Sequence, residues 1–132
     1  KSLQVIVTTR PETGWKGFLD QRVRWASKAG SYQDKRIFRV LLLVYVVNLT
    51  FIVLLAGALF NSWWLWLLLF LLVVKTVVEY PFVRQVAGFF GQQDLMAYFP
   101  VLQPLHIFYT VIVGWLGKFG SYTWKGRTIN NK

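Results

Sequence analysis

Gln21, Arg24 and Trp25 are the residues of this 132-residue chain whose types and spacing point most directly to chemistry. They fall in the run Gln21-Arg22-Val23-Arg24-Trp25, just before the sequence turns almost continuously apolar. On a helix, positions three and four apart share a face, so an amide, a guanidinium and an indole stand together there. A guanidinium donates two parallel hydrogen bonds and fits phosphate oxygens. An indole fits the flat C–H face of a sugar ring, and an amide donates to hydroxyls or phosphates. A plainer reading of the same residues is a basic amphipathic helix on lipid headgroups, with Trp25 as interfacial anchor.

The remaining titratable residues form no catalytic set. The carboxylates are Glu12, Asp20, Asp34, Glu79 and Asp94, scattered and unpaired in sequence except for the Lys75/Glu79 spacing. Asp20 reads as a partner for Arg24 or Lys16. His106 lies in an apolar run and reads as a hydrogen-bonded packing residue. One histidine and no cysteine make a zinc site built by this chain improbable and exclude a disulfide framework. There is no glycine-rich phosphate loop.

The elements that must position Gln21, Arg24 and Trp25 follow from periodicity. Residues 3–9 are β-branched and read as a strand. Thr13 is a candidate cap for an amphipathic helix over 15–29, ended by Gly30-Ser31. Residues 31–36 form a polar connection. Residues 40–60 carry no charge and make the clearest transmembrane helix. Asn48 and Thr50 fall mid-span, where satisfying local backbone groups is the simpler role. After a tight Asn61-Ser62 turn, residues 63–80 form a second span that opens on an aromatic belt of Trp63, Trp64 and Trp66. Lys75 and Glu79 lie near its far end and are expected to snorkel to the interface. Pro81 is expected to stop that helix. Residues 82–97 read as interfacial or re-entrant. Residues 98–117 are apolar again but broken by Pro100, Gln103 and Pro104, leaving an unbroken helix only over 105–116.

Composition fixes the class. The chain is 55% hydrophobic and 15% charged, with a net charge of +10. Lysines and arginines bracket the apolar segments, as cytoplasmic flanks of membrane proteins do. That placement speaks for anionic headgroups and against nucleic acid. The fold class expected is an α-helical membrane protein: two to three transmembrane helices preceded by a short strand and an amphipathic interface helix. Basic flanks put the amino-terminal part in the cytoplasm. A full crossing by 98–117 then leaves Lys118, Lys125, Arg127 and Lys132 outside, against the positive-inside tendency; a cytoplasmic carboxy terminus is the expectation.

Gln21-Arg22-Val23-Arg24-Trp25 resembles the Gln-x-x-Arg-Trp motif of membrane-integrated family 2 glycosyltransferases, which include cellulose, chitin and hyaluronan synthases and ceramide glucosyltransferases. The tail Tyr122-Thr123-Trp124-Lys125-Gly126-Arg127 is similar to the Trp-Gly-Thr-Arg element of chitin and hyaluronan synthases, with Lys-Gly in place of Gly-Thr. A basic interfacial anchor is the equal alternative for that tail. The resemblance implies residues 1–36 as the end of a cytosolic nucleotide-sugar domain with its interface helix, 37–117 as membrane and re-entrant helices, and 118–132 as a basic tail. It implies transfer of sugar from a nucleotide-diphosphate donor to a lipid acceptor. Gln21 and Arg24 would contact the diphosphate, Trp25 would stack on the acceptor, and Arg127 and Trp124 would border the site. It further implies a divalent cation, Mg or Mn, whose ligands are not in this chain. The family's Asp-x-Asp motif and its catalytic base are missing from the sequence, so the chain alone is expected to be inactive and to be a carboxy-terminal piece. A bacterial inner membrane is the expected location. Two alternatives stand beside this: part of a processive polysaccharide synthase, or a small non-enzymatic anchor or assembly protein.

Overall fold

The computed structural model describes residues 14–31, 33–124 and 127–130. The strand expected over 3–9, the Thr13 cap and Lys125 lie outside the described residues. In order, the elements are α1 (Trp15–Ser27), a 3-10 turn (Lys28–Ser31), α2 (Lys35–Ala58), α3 (Ser62–Phe89), a second 3-10 turn (Gln93–Ala97), α4 (Phe99–Phe119), β1 (Ser121–Trp124) and β2 (Arg127–Asn130). Three of these helices, α2, α3 and α4, are long and apolar enough to cross a membrane. Their outer sides expose leucine, valine, phenylalanine and tryptophan along their length. That much apolar surface requires lipid as solvent. The chain is an integral membrane protein of α-helical class, with a short two-stranded sheet at its end.

Local chemistry explains where the helices begin and end. Asp34 caps α2, its carboxylate accepting from the Arg36 N–H at 2.8 Å. Asn61 caps α3 in the same way, accepting from the Trp63 N–H at 2.9 Å. Each satisfies an amide that the first helical turn leaves free. Asn48 and Thr50 bond backward to Val44 and Val46 carbonyls, at 2.7 and 3.0 Å, as the local reading expects.

Pro81 does not stop α3, which runs on to Phe89 with the proline inside it. One proline forfeits one backbone bond and strains one turn, about 3 kcal/mol. Unwinding the chain beside lipid strands several backbone groups at several kcal/mol each, so the helix continues. The same balance carries α4 through Pro104, while Pro100 sits in the first turn, where its missing N–H has no helical partner to lose. The helix expected over 105–116 therefore begins at Phe99, and 82–89, expected to lie on the interface, belong to α3.

α3 ends at a glycine in the left-handed region. Gly91 has φ 67°, its N–H donates to Gly88 O at 3.2 Å, and the Gln92 N–H donates to Ala87 O at 2.8 Å. Paired bonds of this kind around a left-handed residue form a Schellman cap. Gly91→Ala is expected to cost about 1 kcal/mol, because a Cβ is disfavoured at positive φ. Reversible unfolding in mixed micelles checks it; an unchanged midpoint would contradict the cap.

α2 and α3 form an antiparallel hairpin whose turn is held by Gly57 against the Trp64 indole; a Cβ on Gly57 would come within 2.9 Å of that ring. α4 packs on α2 and α3, and α1 packs chiefly on α4. The Phe18 and Tyr109 rings lie 5.7 Å apart, and Ala26 meets Gly117. The two helices thus run side by side in the same direction. Val23 is the buried residue of α1, and Phe51, Leu54, Ile107 and Val113 fill the interior between the longer helices. β1 and β2 pair antiparallel, with Trp124 opposite Arg127 and Tyr122 opposite Ile129. This hairpin lies in the stretch expected to be a basic tail.

Candidate functional site

The outer arc of α1 follows from helical rotation. At 100° per residue, Gln21, Arg24 and Trp25 fall within one third of the circumference, away from Val23 and Ala26, which face α4. Gln21 and Arg24 are half-buried, and Trp25 is 49% exposed. Ser27 fixes the last turn by donating to Arg24 O at 2.9 Å.

Arg22 belongs to the same site, although the sequence motif does not select it. Its guanidinium lies over two rings, 5.1 Å from the centroid of Phe18 and 4.6 Å from that of Trp25. Its Nε is buried with no hydrogen-bond partner among the described residues, so ring faces hold it. The i−4 and i+3 spacing of Phe18 and Trp25 around Arg22 was the signal in the sequence. The stack limits where the Trp25 indole can point.

β1 packs against α1. The element carrying Trp124 and the strand carrying Arg127 are thereby brought beside the helix carrying Gln21, Arg24 and Trp25. Arg127 is exposed, and Tyr122 is buried.

A second polar constellation joins α3 to α4. Lys75 does not snorkel. It is buried, and its Nζ donates to both Glu79 carboxylate oxygens at 2.7 Å and to Gln103 Oε1 at 2.9 Å. Gln103 Nε2 donates to Glu79 Oε2 at 2.9 Å, closing a three-membered ring of bonds between α3 and α4. Gln103 reads in the sequence as an interruption of an apolar run; here it is 2% exposed and is the link between two helices. Its carbonyl meets an ammonium that would otherwise face lipid, and burying that charge unpaired is costly. Lys75 has only these partners within reach once α4 covers it, so the interface is not available to it.

Beside this ring lies a groove of about 440 Å³ between the end of α3 and the start of α4, lined by Glu79, Val83, Met96, Phe99, Leu102 and His106. His106 is exposed rather than packed, 3.5 Å from Thr110 Oγ1. The expected hydrogen bond is within reach and the ring lies 6.4 Å from that of Tyr109, but His106 is not packed in the interior, because α4 turns Gln103 and Ile107 inward and leaves position 106 outside. Among the described residues no three carboxylate or imidazole side chains gather as a cation site.

No protein-family description, curated protein or solved structure matches this chain.

Proposed function

We propose that this chain is the membrane-anchored, acceptor-side part of a glycosyltransferase that moves a sugar from a nucleotide-diphosphate donor to a lipid acceptor. The observation that carries the reading is the outer arc of α1, where Gln21, Arg24 and Trp25 stand together on the helix that β1 packs against. The motif on α1 and the motif on the hairpin lie on neighbouring elements although nearly the whole sequence separates them.

In this reaction the acceptor hydroxyl attacks the anomeric carbon. The bond from that carbon to the diphosphate oxygen breaks, and the diphosphate leaves with the electron pair. The hydroxyl proton passes to a general base, which these residues do not supply. Arg24 and Gln21 bind the diphosphate, where negative charge grows as the bond breaks. Arg127 adds a second cation. Trp25, oriented by Arg22, stacks on the acceptor, and Trp124 borders the same end. With three helices long and apolar enough to cross, too few to line a channel, the chain supports an acceptor that arrives sideways from the bilayer rather than a threaded polymer. A bacterial inner membrane fits this reading.

The test is turnover, measured on the protein as its gene encodes it, in native membranes, with radiolabelled nucleotide-sugar and extraction of the lipid product. Arg24→Ala and Trp25→Ala are each expected to lower the rate by about 10²-fold, the usual loss for one stabilising contact made in the transition state. Both variants turning over normally would reduce α1 to an interfacial anchor.

A further inference from the structure

We propose that α4 does not cross the membrane: it lies in one leaflet, its outer face on lipid, and returns the carboxy-terminal hairpin to the side from which α2 departs. This inference stands independently of the glycosyltransferase reading.

The contacts at the two ends of α4 decide it. At its start, Phe99 lies 6.1 Å from the Tyr80 ring and Gln103 bonds Lys75 and Glu79. Toward its end, Gly114 abuts the Tyr45 ring and Gly117 abuts Ala26 of α1. α2 and α3 are antiparallel and joined by a short turn at Leu59–Asn61. By helical rise, Lys75 lies about 20 Å along α3 from that turn, and Tyr45 lies about 20 Å back along α2. The Gln103–Lys75 and Gly114–Tyr45 contacts therefore fall at one level of the hairpin, with Tyr80, opposite Phe99, only about 7 Å further along α3. A spanning α4 would separate Gln103 and Gly114 by about 16 Å in depth. Instead, α4 runs from one arm of the hairpin to the other.

Depth follows from bilayer thickness. With Trp63 and Trp64 at the far interface, a hydrocarbon core of about 30 Å ends near Val83, one residue before Arg84. α4 then crosses about 10 Å inside that boundary, within the near leaflet. Its outer face suits the place: Val101, Leu105, Phe108, Ile112, Trp115 and Phe119 are all exposed and recur at helical spacing. Its inner face carries Gln103, Ile107, Val113 and Gly117, which are buried. α1 runs alongside it, with Phe18 on Tyr109 and Ala26 on Gly117.

Charge gives a second, separate argument. With α4 in one leaflet, Lys35, Arg36, Arg39, Arg84, Lys118 and Arg127 all lie on one side. The opposite turn, through Trp66, carries no charge at all. A crossing α4 would put Lys118 and Arg127 on the far side, against the positive-inside bias.

The chain has no cysteine, so single-cysteine variants report cleanly. Gln33→Cys, Phe60→Cys and Thr128→Cys occupy exposed positions before α2, at the hairpin turn and on β2. The full chain, in sealed vesicles of known orientation, is treated with a membrane-impermeant maleimide. Thr128→Cys labelling from the same side as Gln33→Cys, with Phe60→Cys opposite, is the expected result. Thr128→Cys labelling with Phe60→Cys overturns the proposal. Spin labels at Leu105, Phe108, Ile112 and Trp115 give an independent readout. Equal oxygen-to-nickel collision ratios are expected; a steady gradient, matching about 1.5 Å of depth per residue, overturns the in-leaflet placement.

Discussion

Glu79→Met is expected to destabilise the protein by about 3–5 kcal/mol, because it leaves Lys75 buried with only Gln103 Oε1 for a partner. The reverse change is expected to be milder. In the pair, the Lys75 side chain is 7% exposed and that of Glu79 is 39% exposed. With Lys75→Met, the remaining carboxylate can draw on water or take up a proton, and about 1–3 kcal/mol is the expected loss. Replacing both by methionine removes the unpaired charge altogether and is expected to recover most of the loss, leaving Gln103 as the only uncompensated group. The three variants therefore rank Glu79→Met worst, then Lys75→Met, then the double change closest to the parent. Reversible unfolding in mixed micelles or bilayers gives the order. Equal, small effects from both single changes would mean that Lys75 reaches the interface, as its position near the helix end suggests from sequence.

Gly117→Leu is expected to undock α1 from α4. A Cβ at Gly117 would sit 2.5 Å from the Ala26 Cβ, 3.0 Å from the Ala26 carbonyl carbon and 3.1 Å from the Ser27 nitrogen. Two of these three neighbours are backbone and cannot swing aside, so the helix as a whole must retreat. Overpacking of this kind costs about 1–3 kcal/mol. In the proposed transfer reaction, its effect on rate is expected to exceed its effect on stability. A displacement of about 1 Å in a group that orients substrate can cost about 10²-fold in rate, and α1 carries Gln21, Arg24 and Trp25. Gly114→Ala is the comparison. Its new Cβ meets the Tyr45 ring at 2.5 Å, a side chain that can rotate away, so a smaller loss is expected. Amide hydrogen exchange along α1 reads the undocking directly. Faster exchange over Trp15–Ser27 in Gly117→Leu, with little change in Gly114→Ala, is the expected pattern; unchanged protection in both would contradict close α1–α4 packing.

Much of the fold is legible in the sequence because lipid imposes simple rules. The uncharged run over 40–60, the Asn61-Ser62 turn and the tryptophans after it give the turn of the α2–α3 hairpin nearly to the residue, while α2 begins earlier, at Lys35, and α3 runs on to Phe89. Proline was the misleading signal. In water Pro81 and Pro104 would end helices, but beside lipid the cost of free backbone groups outweighs one missing bond, and both helices continue. The ring of Lys75, Glu79 and Gln103 is only half legible. The i, i+4 spacing of the ion pair is plain, but Gln103 comes from another helix, and pairing across helices leaves no periodic trace. The β1–β2 hairpin is short, and its strands alternate too briefly to stand out from a basic tail. Of the candidate site, Gln21, Arg24 and Trp25 are visible as helical neighbours. Arg22 needs the rings of Phe18 and Trp25 around it before its role shows. That the hairpin packs against α1 depends on where α4 ends, which no local pattern records.

The central claim is that the outer arc of α1 binds a diphosphate, and donor binding tests it most directly. Isothermal titration of the gene-encoded protein with a nucleoside diphosphate, compared with its Arg24→Ala and Trp25→Ala variants, separates the two roles. Arg24→Ala is predicted to weaken binding by about 10–100-fold, as expected for a charge-assisted bond worth about 1.5–3 kcal/mol, while Trp25→Ala binds like the parent. Unchanged nucleoside diphosphate affinity in Arg24→Ala would contradict the account and leave α1 as a basic helix resting on lipid headgroups.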